Sequence, residues 1–172
     1  MTTVLRGRVA ARLGDNVDTD VIYPGRYLNI TDREKTAEHL FELAHPGLRG
    51  TIRPGDFLVG GRNFGCGSSR EQATAAVKFA GVGAVIAGSF ARIFYRNSIN
   101  LGLPVLVAPE AAAGVEPGDE LEIDVGAGVI RDLTSGRTFQ AAPLDARAVE
   151  LIRAGGLIPY LKTKYAAVQG ER

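Results

Sequence analysis

Between residues 56 and 108 short apolar runs alternate with longer helix-forming stretches, and this alternation restricts the fold more than any other feature of the chain. The runs 57–60, 84–87 and 104–108 are apolar almost throughout instead of alternating with polar residues, as strands covered on both faces must be. Helical stretches are predicted between them, over 69–81 and 91–101. Strand, helix, strand, helix, strand implies a parallel βαβαβ core with right-handed crossovers. Ligands of such a sheet lie beyond the carboxyl ends of its strands.

The rest of the chain adds strands of another kind. Residues 4–13 read as an opening strand that turns at Gly14-Asp15-Asn16. A loop over 23–30 leads through Thr31-Asp32-Arg33-Glu34 into a helix predicted over 34–44, and 46–54 is a linker. After a connection at 111–118, residues 121–125, 129–133 and 138–140 read as an antiparallel meander. A last helix over 144–154 is stopped by Gly155-Gly156, and 157–165 form a short closing segment. The expected class is therefore α/β, a parallel βαβαβ core with additional antiparallel strands, as one domain over 1–172.

The turn after the first core strand is the expected site. It runs Gly60-Gly61-Arg62-Asn63-Phe64-Gly65-Cys66-Gly67-Ser68-Ser69-Arg70-Glu71-Gln72. Glycines open backbone angles closed to other residues and let a ligand approach the main chain. Ser68-x-x-Glu71 and Ser69-x-x-Gln72 each have the spacing of a capping box. Free amides at a helix start, with the guanidinium of Arg70, favour a carboxylate. The plainer reading is that Ser68 is only a cap and Arg70 only a solvated first-turn residue. Ser89 and Arg92 open the next helix at the same edge and are candidate walls, while Ile93, Ile99 and Leu101 are expected in the core and Tyr95-Arg96-Asn97 between loops.

Composition narrows the classes of function. With 45% hydrophobic residues, 23% charged residues and a formal net charge of +1, the chain lacks the basic excess of a nucleic-acid binder. No signal peptide or membrane span is read in it, so a cytoplasmic location is expected. Cys66 is the only cysteine: no intrachain disulfide can form, and an iron–sulfur cluster cannot be held by this chain alone. Cys66 reads as a small residue packed into the turn. His39 and His45, six apart, lack the spacing of paired helical ligands, and the acids of 15–20 lack the Gly and distal Glu of a calcium loop; no metal site is expected.

The string Asn-Phe-Gly-Cys-Gly-Ser-Ser-Arg-Glu, residues 63–71, closely resembles the signature of the swivelling β/β/α domain of the aconitase superfamily. Residues 15–22, Pro24-Gly25-Arg26-Tyr27-Leu28, Pro54-Gly55-Asp56 and 89–104 resemble further landmarks of the small-subunit family of 3-isopropylmalate dehydratase and homoaconitase. The resemblance implies a hydro-lyase that moves a hydroxyl between adjacent carbons of a hydroxy-dicarboxylate, in leucine biosynthesis for the isopropylmalate members. It implies that the chain works only with a large subunit whose [4Fe-4S] cluster supplies the Lewis acid, and that the isolated chain can self-associate. It assigns the base to Ser68, carboxylate binding to Ser69 and Arg70, the active-site turn to Gly65, Cys66 and Gly67, and substrate choice to Arg26, Tyr27, Leu28, Asn29 and Ile30. Asp18 and Asp20 would line the cleft edge. Asn29 and Ile30, where homoaconitases tend to place an Arg, favour an isopropyl arm, with Arg26 near enough to supply a charge instead. Gln72 stands where the family usually has His. Homoaconitase, another alkylmalate dehydratase and a non-catalytic dicarboxylate-binding or regulatory module are the alternatives.

Overall fold

The structure, a computed structural model, describes residues 3–170, with side chains to residue 166, so the extreme ends of the expected 1–172 unit lie outside the described residues. In chain order the elements are β1 (Val4–Arg12), α1 (Thr19–Ile22), a 3-10 turn (Gly25–Tyr27), α2 (Arg33–Glu38), α3 (Leu48–Thr51), β2 (Phe57–Gly60), α4 (Glu71–Phe79) and β3 (Ala84–Ala87). They continue with α5 (Arg92–Leu101), β4 (Val105–Val107), α6 (Pro109–Gly114), β5 (Glu120–Asp124), β6 (Val129–Asp132), β7 (Thr138–Gln140), α7 (Ala146–Ala154) and α8 (Leu157–Gly170).

Seven strands form one mixed sheet in the order β4-β3-β2-β1-β5-β6-β7. The first four are parallel, with Val59 opposite Ile86 and Ile86 opposite Leu106, and β5, β6 and β7 continue antiparallel. Strand β1 is the seam. Its residues Val4 to Arg8 pair antiparallel with β5, while Val9 to Arg12 pair parallel with β2 across a register shift between Val9 and Ala11. All four positions of β2 and of β3 are buried, which explains why neither shows polar alternation.

Several helices differ from expectation: α3 lies within the expected 46–54 linker, and α8 is a 14-residue helix where a short closing segment over 157–165 was expected. α2 stops at Glu38 instead of 44, because the chain turns to bury Leu40 and Phe41 completely; Phe41 takes a positive φ of 55° and gives its N–H to Ile22 O at 2.9 Å. A helix, α6, occupies part of the expected 111–118 connection and begins with Pro109 in its first turn, where the missing N–H costs no intrahelical bond. The helix predicted from residue 69 begins only at Glu71, and neither expected capping box forms: Arg70 holds the cap position in an extended conformation, with no side-chain cap bond.

Among the described residues no helix is long and apolar enough to cross a membrane.

Candidate active site

The turn between β2 and α4 is shaped by two residues that only backbone freedom or burial can place, Gly65 and Phe64. Gly65 has φ +80°, and a Cβ there would lie 2.2 Å from Phe94 Cγ, so the loop passes against α5 at glycine thickness. Phe64 is fully buried, in edge contact with Phe94, and its backbone is bracketed by Ser89 O at 3.0 Å and the Ala91 N–H at 2.9 Å. On the other side Gly65 N–H donates to Val17 O at 2.7 Å and Thr19 N–H to Cys66 O at 2.8 Å, tying the turn to α1. Cys66 is half-buried and packs in this ladder.

These ties leave the next residues at the mouth of a cavity of about 230 Å³. It is lined by Thr19, Gly65, Gly67, Ser68 and Arg70 together with Ala91 and, from α5, Arg92, Ile93, Phe94 and Asn97. Ser68 is exposed to this space, and Thr19 Oγ1 donates to Ser68 O at 2.9 Å. Since no serine caps α4, the hydroxyls of Ser68 and Ser69 are not consumed by the helix, and Ser69 is exposed beside the cavity's lining.

Arg70 has a side chain only 15% exposed and donates to the Asp20 carboxylate, which is itself 62% exposed at the rim. Asp18, the other acid expected at the cleft edge, instead caps α1 by accepting the Val21 N–H at 2.9 Å. Asp15 holds Arg62, and the Arg62 amide and side-chain bonds keep its carboxyl below the ordinary value. The acids of 15–20 are thus turn formers plus one partner for Arg70.

The expected specificity residues do not line this cavity. Tyr27 stacks on His39 with ring centroids 3.6 Å apart and donates its hydroxyl to Glu42 at 3.0 Å; Arg26 lies over the Tyr27 ring and pairs with the same Glu42 oxygen at 3.3 Å. These side chains turn toward the residues after α2. The loop touches the site through Gly25, where a Cβ would meet both the Arg70 guanidinium and Asp20 at 3.3 Å. It also approaches α4 where Gln72 Nε2 reaches Leu28 O at 3.5 Å, so the glutamine links loop to helix. Leu28 and Asn29 are exposed, and Ile30 lines a separate hollow with Gln72 and Phe79.

Three expectations about the walls change. The Ser89 hydroxyl is occupied by the Asn63 N–H at 2.8 Å and does not line the cavity. Ile93, expected in the core, is 39% exposed and forms part of the wall, because α5 buries Phe94, Ser98 and Ile99. Asn97 faces the cavity rather than tying loops. Thr19 was missed altogether: nothing in its neighbourhood marks a threonine for a residue 49 positions away.

No group of three or more His, Cys, Asp or Glu able to hold a metal occurs among the described residues. His39 donates or accepts at Glu42, and His45 packs edge-on against Phe41. With one half-buried cysteine, these residues do not fit an iron–sulfur cluster.

Comparisons with known proteins agree with this fold. Residues 51–110, which contain the whole turn, match the Aconitase C-terminal domain. Over 151 residues the chain is 55% identical to the 3-isopropylmalate dehydratase small subunit of Moorella thermoacetica, covering 88% of this chain and 91% of that one. The chain belongs to this small-subunit family. The methanogen homoaconitase small subunit of Methanothermobacter thermautotrophicus is a member at 50% identity, with 99% of each chain covered. A crystal structure of 3-isopropylmalate dehydratase from Methanocaldococcus jannaschii superposes with a TM-score of 0.91 at 40% identity, over 99% of this chain and 100% of that one. The small-subunit fold, with its mixed sheet and its turn at the carboxyl end of β2, is therefore shared along nearly the full length.

Proposed function

We propose that this chain, acting as one unit over 1–172, is the small subunit of a two-subunit hydro-lyase, 3-isopropylmalate dehydratase, which interconverts 2- and 3-isopropylmalate by dehydration and rehydration. The observation that carries the reading is that an exposed Ser68 and the part-buried guanidinium of Arg70 border one cavity at the carboxyl end of a parallel sheet.

Ser68 is assigned the base. Dehydration removes a proton from the carbon next to a carboxylate, and that proton passes to Ser68 Oγ; rehydration of the unsaturated diacid returns it. A serine is a poor base unless its alkoxide is stabilised, and the start of α4 with Arg70 supplies positive potential beside it. Ser69 and Arg70 hold a substrate carboxylate, displacing Asp20 from the guanidinium. Gly65, Cys66 and Gly67 keep the turn thin enough for the ligand to reach these groups. Polarising the departing hydroxyl is left to the large subunit, for which a [4Fe-4S] cluster is implied.

The loop Arg26 to Ile30 is assigned the approach to the variable arm of the substrate when the two subunits close. Homoaconitase is the second reading, since a homoaconitase small subunit is half identical to this chain. The engagement of Arg26 with Glu42 argues against it: an additional carboxylate beside Asn29 and Ile30 would be desolvated without a free cation.

The test is anaerobic reconstitution with the cognate large subunit and assay of malates bearing isopropyl, methyl and carboxyalkyl arms. Highest kcat/KM for the isopropyl compound is expected. A preference for the carboxyalkyl compound would establish the homoaconitase reading, and turnover of none would leave a binding module.

A further inference from the structure

We propose that Arg92 is a second carboxylate-binding residue of this chain, holding the carboxylate of the hydroxy-diacid that Arg70 does not hold. The inference rests on the function proposed above and adds a specificity-determining residue to it.

Arg92 is exposed and lines the same cavity as Ser68 and Arg70. Its guanidinium has no ion pair or hydrogen bond among the described residues. The neighbouring arginines are committed: Arg70 to Asp20, Arg62 to Asp15 and Arg26 to Glu42. The charge balance follows. A dicarboxylate brings two negative charges, while the Arg70–Asp20 pair is neutral before the substrate arrives. One carboxylate can take the place of Asp20; the other, once water is excluded, needs its own cation. Among this chain's described residues, Arg92 is the cavity-lining cation left to supply it. Ile93, beside it and 39% exposed, offers an apolar surface to the carbon chain between the two acids.

The experiment compares wild type with R92Q and R92K in the reconstituted two-subunit enzyme, using the preferred alkylmalate and its two mono-methyl esters. Arg92→Gln is expected to raise KM for the diacid about tenfold or more with kcat changed less than about threefold, as for loss of one charge-assisted contact made in both ground and transition states. Arg92→Lys should recover part of the loss. Wild type should discriminate against the ester of one particular carboxylate, and the Gln variant should lose that discrimination. Sedimentation of the complex should be unchanged.

A KM within about twofold of wild type, an equal rise for diacid and both esters, or loss of subunit association would each overturn the assignment. If wild type turns over no alkylmalate, the proposed function falls and this inference with it. If wild type is active and R92Q matches it, this inference falls alone.

Discussion

Thr19 donates its hydroxyl to the carbonyl oxygen of Ser68 at 2.9 Å, across 49 residues of sequence. Thr19 is 3% exposed, so its bond holds the main chain of the proposed base against α1 from within the protein. Replacing it by Val keeps the shape and removes the donor. Thr19→Val should cost about 1 kcal/mol in stability, and should lower kcat about tenfold through misplacement of Ser68. Chemical denaturation and steady-state kinetics on the same preparation separate the two effects.

Gly65 is the residue the turn can least replace. Its φ of +80° strains any side chain, and the Cβ would sit inside the Phe94 ring position. Gly65→Ala should destabilise by about 2 kcal/mol or more and abolish activity, whereas Gly14→Ala, with open space around its Cβ, should be close to silent in fold. Thermal melts of the two variants provide the comparison.

How much of this was legible in the sequence depends on the range of the forces involved. Strands β2 and β3 were predicted to the residue, because burial on both faces imposes apolar side chains at every position. The role of β1 as a seam was not legible, since nothing local tells a strand that half of it pairs parallel and half antiparallel. The turn 60–72 was located between its strand and helix, but the capping boxes that the spacing of its serines allows do not form. The contacts that hold this stretch come from elsewhere in the chain: Thr19 donates to Ser68 O and Asp20 accepts from Arg70. The signal for α6, Pro109 at a first-turn position, was present and went unused. The loop 26–30 approaches the turn through Gly25 and Leu28 O, while the stacking of Tyr27 on His39 that turns its side chains away could be seen only in three dimensions.

Asp56 sets an acid limit on stability. It is 5% exposed; burial acts to raise its carboxyl, but the Arg8 hydrogen bond at 2.7 Å, the Arg53 amide and the charge of Arg8 together hold it below the ordinary 3.8. A carboxyl depressed in the folded state contributes stability that is complete above its unfolded value and disappears as pH falls through the folded one. Asp56→Asn should therefore be less stable than wild type at neutral pH, with the gap closing below about pH 4. Urea titrations at several pH values would show it; a gap independent of pH would remove Arg8–Asp56 from the account.

Thr74 is fully buried in α4, and its hydroxyl has no partner among the described residues. Valine has the same branching and no oxygen to desolvate. Thr74→Val should raise stability by about 1 kcal/mol, or about 2–4 °C in Tm for a chain of this size, without touching kinetics. Calorimetry on the isolated chain is sufficient.

The central claim is that Ser68 moves the proton, and its most direct measurement is turnover by Ser68→Ala reconstituted with the large subunit, alongside sedimentation of the complex. The account predicts an intact complex whose kcat is lower by about a thousandfold or more, in the range lost with a general base. An intact complex that retains kcat within about tenfold of wild type would contradict it.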